Sequence, residues 1–131
     1  MADLVLHCSI ITPEGPVFEA AVESVVIPAH DGQLGILRNH APFVCKLGAG
    51  RLQARTAEVE ERWFVNGGFC QVFENQVTVL TPRAIRPEEI DRAAAEAQLA
   101  EASKMVAKDE VSLARKAEAE ASARAQLRML P

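Results

Sequence analysis

Residues 88–130 form a 43-residue stretch with no glycine, no proline and no Phe, Trp or Tyr. Every glycine lies at or before Gly68, every aromatic residue at or before Phe73, and every proline except Pro131 at or before Pro87. What fills the stretch is alanine interleaved with Glu, Gln, Lys, Arg, Leu and Ser, good to fair helix formers. With no breaker inside it, the stretch is expected to be helical whatever surrounds it. A single helix of about 43 residues would run about 65 Å, far beyond the reach of a small domain. It is therefore expected to fold back as an antiparallel hairpin, turning near Met105 to Asp109 with Asp109 as N-cap of the second helix. On a helical wheel Ile90, Ala93, Ala94 and Ala97 share one face with Ala100 beside them. Ala114, Ala117, Ala121 and Ala125 make a second stripe bordered by Arg124 and Arg128.

Charge density sets this rear part off from the front. Residues 1–87 carry seven basic and nine acidic groups, and residues 88–131 carry the same numbers in half the length. That is the composition of solvated helices. Neither part is a basic patch, which argues against a nucleic-acid partner. The net charge is −4, 49% of residues are apolar, and no apolar run is long enough to span a bilayer as a helix. The first residues lack the basic start and long apolar stretch of a signal peptide. Cys8, Cys45 and Cys70 are odd in number and widely spaced, which reads as three reduced, buried thiols.

The front part reads as short strands. Leu4, Leu6 and Ser9 to Ile11 open it, and Thr12-Pro13-Glu14-Gly15-Pro16 breaks it. Val22 to Ile27 is a β-branched run ended by Pro28, followed by a turn at Ala29-His30-Asp31-Gly32. Leu34 to Leu37, Phe43 to Leu47, Arg51 to Thr56, Arg62 to Val65, Phe69 to Phe73 and Val77 to Leu80 follow, separated by Asn, Pro and Gly clusters. Strands this short, with turn signals every 8–12 residues, indicate a sandwich or barrel. The strongest hairpin signal is Asn66-Gly67-Gly68 between Trp63-Phe64-Val65 and Phe69-Cys70-Gln71-Val72. The boundary falls in Thr81 to Pro87. Pro87 suits a first helical position, and Glu88 and Glu89 sit where the helix dipole favours negative charge. The expected organisation is a β domain over residues 1–84 and an alanine-rich helical hairpin over residues 85–131. A buried alanine methyl contributes only about 0.8 kcal/mol, against two to three times that for Leu, Ile or Phe. The hairpin is thus expected to be held weakly and able to repack on a partner.

No residue set for catalysis or a metal emerges. His30, Asp31 and His40 lie in turns as isolated groups, no H-E-x-x-H or G-x-S-x-G run occurs, and Gly48-Ala49-Gly50-Arg51 lacks the Lys-Ser/Thr of a phosphate loop. Arg124 and Arg128, four residues apart, read most simply as a solvated helix edge. Their forked guanidinium groups also suit carboxylates or a nucleotide's phosphates.

Val26-Ile27-Pro28-Ala29-His30-Asp31-Gly32-Gln33-Leu34-Gly35-Ile36-Leu37-Arg38-Asn39-His40-Ala41-Pro42-Phe43 resembles the G-x-L-G-I-L-P-N-H-A-P stretch of the epsilon subunits of F-type ATP synthases. Asn66-Gly67-Gly68-Phe69 followed by Asn75-Gln76-Val77-Thr78-Val79-Leu80 resembles that family's GGF…N-x-V-T-V-L stretch. The resemblance implies a flattened β-sandwich followed by a two-helix hairpin, in a non-catalytic central-stalk subunit. The sandwich would contact the gamma subunit and the ring of proteolipid subunits, with Asp31, Gln33 and His40 as contact residues. The hairpin would lie on the sandwich or extend along gamma toward the catalytic beta subunits, and alpha, to restrain ATP hydrolysis. The implied location is the cytoplasmic face of a bacterial inner membrane, peripheral and without insertion.

Two positions depart from the family stretch: Arg38 stands where it usually has proline, and Gln33 where it often has glutamate. Some bacterial members bind ATP through an I-D-x-x-R-A start and a later R-A-x-x-R pair. Ile90, Asp91 and Ala95 match the first, and Arg124-Ala125-Gln126-Leu127-Arg128 matches the second. Ala94 replaces the first arginine, so weak nucleotide binding or none is expected, and no cofactor. The competing reading is a stand-alone β-domain binding module whose helical hairpin docks another protein.

Overall fold

The computed structural model describes residues 5–130. Eight strands come first: β1 (Leu6–Thr12), β2 (Gly15–Val22), β3 (Ser24–Ala29), β4 (Gly32–Leu37), β5 (Phe43–Arg55), β6 (Glu60–Phe73), β7 (Gln76–Leu80) and β8 (Ala84–Ile85). A 3-10 turn at Pro87–Glu89 leads to α1 (Arg92–Lys104) and α2 (Glu110–Arg128). The strands pair in the order β2-β1-β7-β6-β5-β3-β4, with β8 added to β6. Only the β1–β7 pair is parallel. The whole is a β-sandwich followed by a helical hairpin, as the sequence suggested.

Alternation along the strands builds the main core. Leu6, Cys8 and Ile10 of β1 point inward with Val77 and Val79 of β7, and Cys70 and Val72 of β6; Val25, Ile27, Ile36, Leu52 and Ala54 close it from the β3–β4–β5 side. The thiols belong to this apolar interior. Burial pushes Cys8 and Cys70 up to about 12, and half-buried Cys45 is raised by burial and then by the Asp31 carboxylate.

Four features of the front part differ from the sequence reading. Phe43 to Arg55 is one strand, and so is Glu60 to Phe73. Asn66-Gly67-Gly68 therefore does not reverse the chain. Gly67 and Gly68 do take the positive φ expected of them, 81° and 101°, but they spend it on a bend inside β6. The β5–β6 ladder skips the Gly48–Gly67 pair without changing register, so both strands kink together. Beside this point β3 advances three residues, from Val26 to Ala29, while β5 goes from Gln53 to Leu47, which is six. The two long strands thus curve from one layer of the sandwich to the other. A Cβ on Gly68 would lie 1.9 Å from the Leu80 carbonyl oxygen, so the neighbouring backbone demands glycine there.

The reversals fall elsewhere. His30-Asp31 joins β3 to β4 as the sequence indicated, Thr56 to Val59 joins β5 to β6, and Glu74-Asn75, with φ of 48° and 61°, joins β6 to β7. Gly15 to Val22 is a strand that the proline-containing break concealed. The apparent run Val22 to Ile27 is split by a bend at Glu23, and β3 continues through Pro28.

The helices form an antiparallel pair, with Asp109 capping α2 by accepting a hydrogen bond from the Ser112 N–H at 2.8 Å. Asp91 caps α1 in the same way through Ala94, at 3.2 Å. Pro87 begins the short 3-10 turn rather than α1 itself. The alanine stripes are not the buried faces. Ala93, Ala94, Ala97, Ala114, Ala117 and Ala121 are exposed, and burial falls on Ala95, Ala102, Ser122, Ala123, Ala125 and Gln126. Polar groups stitch the pair. Gln126 Nε2 donates to Gln98 Oε1 at 3.3 Å and to the Ser122 carbonyl at 3.4 Å, and Ser103 Oγ donates to Glu120 at 3.2 Å. A wheel that scores only apolar residues passes over such a face.

Candidate functional site: the seam between hairpin and sandwich

Where the hairpin meets the strands is determined by β6. Trp63, Phe64 and Val65 are buried in succession, which an ordinary sandwich strand with one solvated face would not allow. Trp63 and Val65 point into the main core; Phe64 points outward and is covered by Ile90 and Ala125. Ala49, Ile85, Met129 and Leu130 complete this second, smaller core. Among the described residues no hydrogen bond or ion pair joins α2 to the strands. The contact is apolar and confined to the C-terminal end of α2. Further back along α2, from Arg115 to Ser122, a cleft of about 770 Å³ separates it from the kink at Gly48, Gly67 and Gly68. Burying one alanine and parts of a methionine and a leucine contributes about 3 kcal/mol in gross terms. The hairpin is stitched to itself and only lightly seated on the sheet.

The predicted hairpin residues converge here in part. Ile90, 8% exposed, lies in the second core, and Asp91 beside it caps α1. Arg124 and Arg128 flank buried Ala125 and are themselves exposed, Arg124 at 3.7 Å from Glu120. Arg128 lines a cleft of about 370 Å³ with Arg51, Gln33 and Ala125. Gln33 thus sits at the mouth of the seam, the second residue of β4 after the turn that carries exposed Asp31.

His40 belongs to a different place. It lies in the β4–β5 connection, its Nδ1 2.8 Å from the Ala41 carbonyl and its ring 5.0 Å from that of Phe43. Asn39 ties this connection to the β6–β7 turn through the Asn75 side chain, 2.6 Å from its N–H. No hydrogen bond among the described residues joins His40 to Asp31 or Gln33. Nor do three His, Cys, Asp or Glu side chains gather to hold a metal among the described residues.

Sequence reasoning passed over two surfaces. On the outer face of the sheet Phe69 pairs with Leu80 and Leu80 with Ile11, and Phe69 and Leu80 are 53% and 50% exposed, with Val44 on β5 and Phe73 at the end of β6 also open. At the hairpin tip Met105, Val106, Val111 and Leu113 are exposed. Period-two reading of β6 and β7 could have found the first, since Phe69, Phe73 and Leu80 fall opposite in phase to the core residues.

A β-sandwich carrying a two-helix hairpin on one face is the class of fold that these elements define. Residues 5–87 match the family described as "ATP synthase, Delta/Epsilon chain, beta-sandwich domain". The chain is 43% identical over 106 residues to the ATP synthase epsilon chain of Synechococcus sp. (strain JA-2-3B'a(2-13)), covering 79% of this chain and 75% of that one. It is 40% identical over 108 residues to that of Leptospira borgpetersenii, covering 82% and 85%. In fold it is similar to a chain in the mitochondrial ATP synthase of Euglena gracilis, an OSCP/F1/c-ring structure, with a TM-score of 0.83 at 21% identity over 98% of this chain and 82% of that one. A chain in the central stalk/c-ring structure from Tetrahymena thermophila gives 0.77 at 12% identity, covering 96% of each. The chain belongs to the ATP synthase epsilon-chain family. That membership replaces the reading as an unrelated binding module.

Proposed function

We propose that the chain is a non-catalytic rotor subunit of the proton-driven ATP synthase. Its sandwich couples gamma to the proteolipid ring, and its hairpin leaves the sandwich to restrain ATP hydrolysis at the catalytic beta and alpha subunits. The observation that carries the reading is the seam, an apolar contact limited to one end of α2 with an open cleft behind it. Such a contact can be exchanged for a comparable one on a partner at little net free energy. The exposed Phe69 and Leu80, with half-buried Ile11 beside them and exposed Val44 and Phe73, suit a permanent neighbour such as gamma. The turn with Asp31 and Gln33 suits the polar loops of the ring, with His40 marking a second contact beside the β6–β7 turn. The exposed Met105, Val106, Val111 and Leu113 near the tip suit burial between the larger subunits once the hairpin extends. Arg124 and Arg128, exposed on the last turns of α2, are placed to meet carboxylates there. No helix among the described residues is long and apolar enough to cross a membrane, in keeping with a peripheral position on the cytoplasmic face.

The test is deletion of residues 91–131 in the assembled complex. Assembly and ATP synthesis are retained while ATP hydrolysis rises several-fold. Loss of assembly would make the hairpin structural and overturn the reading.

A further inference from the structure

The connection between the two parts is more firmly attached than the helices it leads to. Asn66 N–H donates to the Arg83 carbonyl at 3.1 Å, Thr81 Oγ1 donates to the same carbonyl at 3.1 Å, and β8 adds Ala84 and Ile85 to the edge of β6 opposite Val65 and Phe64. Arg86 then folds back over the sandwich. Its Nη1 donates to Glu61, and its guanidinium carbon lies 4.5 Å from the centre of the Trp63 ring. Its own N–H is held by Glu89 Oε1 at 3.0 Å, and Ile90 N–H reaches the Pro87 carbonyl at 3.1 Å. Up to Ile90 these contacts return to the strands or close the 3-10 turn. From Asp91 the capping bond looks forward into α1. Between the two helical segments Ile90 and Asp91 are both extended, with ψ of 124° and 110°.

We infer that the hairpin pivots at the Ile90–Asp91 link, and that residues 83–90 are a strap which Arg86 clamps to the sandwich and which stays behind when the helices leave. The inference rests on the mobile hairpin proposed above. A cation stacked on a buried aromatic face and paired with a carboxylate holds better than either contact alone. Two extended residues between helical turns need only dihedral changes to redirect α1. Ile90 stays on Phe64 in this arrangement, so departure of α2 uncovers one side of the second core rather than all of it.

Hydrogen exchange on the full-length chain tests this, read in peptides covering 60–66, 83–90 and 92–128. The strap is expected to exchange as slowly as β6, and both helices at least tenfold faster. In R86A, and less strongly in E61Q, the strap rises to the rate of the helices while β6 and β7 are unchanged, and acrylamide quenches the fluorescence of Trp63, the single tryptophan, more readily. A strap and helices sharing one fast rate in the unaltered chain would overturn the pivot and leave the mobile hairpin standing. Helices as slow as the sheet would overturn the mobility on which the pivot rests. A strap still protected in R86A would overturn the clamp.

Discussion

At the scale of single residues the fold depends on a few positions with no alternative occupant. Gly68 combines a φ of 101° with a Cβ site 1.9 Å from the Leu80 carbonyl oxygen, whereas Gly67, at 81°, has its nearest neighbour at 3.9 Å. Gly68→Ala is therefore expected to destabilise the sandwich by about 3 kcal/mol or more, and Gly67→Ala by about 1 kcal/mol, measured by denaturant unfolding. The reverse order would place the bend elsewhere. The thiols give a second test. With Cys8 and Cys70 pushed up to about 12 by burial, alkylation at pH 8 labels Cys45 first and the other two only on unfolding. A raised thiol favours the folded state fully below its ordinary value near 9, and that contribution is lost as the pH rises through about 12. Asp109 runs the other way. Its bonds from Ser112 hold its carboxyl below the usual aspartate value, so the stability it gives is complete above that value and lost as pH falls through the depressed one. Asp109→Ala should speed exchange at the Val111 and Ser112 amides without altering the strands.

At the scale of elements the two-part organisation was plain in the sequence, and the buried faces were not. Absence of Gly, Pro and aromatics marked the helices, and Asp109 marked the second start, because composition and caps are local signals. Gly48-Ala49-Gly50 and Asn66-Gly67-Gly68 were misleading because glycine reports positive φ or close approach and does not report chain reversal. The structure spends both glycine sets on one shared kink. Alanine stripes misplaced the helical faces because alanine is at home in and out of solvent, while the Gln98–Gln126 and Ser103–Glu120 bonds that join the helices carry no apolar period. The seam itself had one legible sign, three consecutive buried-type residues at Trp63 to Val65. Of the candidate site residues, Ile90 is buried although Ala93, Ala94 and Ala97, which share its face on the wheel, are exposed, and its partner Phe64 is evident only once β6 is known to be continuous. Ala125→Asp places a charge against Phe64 and Ile90 and should release α2 from the strands. Circular dichroism should keep its helical signal while exchange in 110–128 accelerates; loss of the helical signal would mean that the helices depend on the sheet.

At the scale of the whole molecule a sandwich with a large core carries a hairpin whose seat is slight. The energies are consistent with this division: sixteen buried side chains close the main core, and three buried side chains form the second. A subunit of this kind can stay on a rotor through one surface while a second part changes partners. Arg124→Ala with Arg128→Ala should relax the restraint on hydrolysis by a few-fold without affecting synthesis, and an unchanged rate would remove both from the interaction. Whether the hairpin acts by leaving the sandwich is decided by tying it down. Ala49→Cys and Ala125→Cys place a thiol on each side of the second core, and hydrolysis is measured in the assembled enzyme before and after reduction of the bridge. A hairpin that acts by leaving gives fast hydrolysis while the bridge is intact and a several-fold fall on reduction. Equal rates in the two states would contradict it.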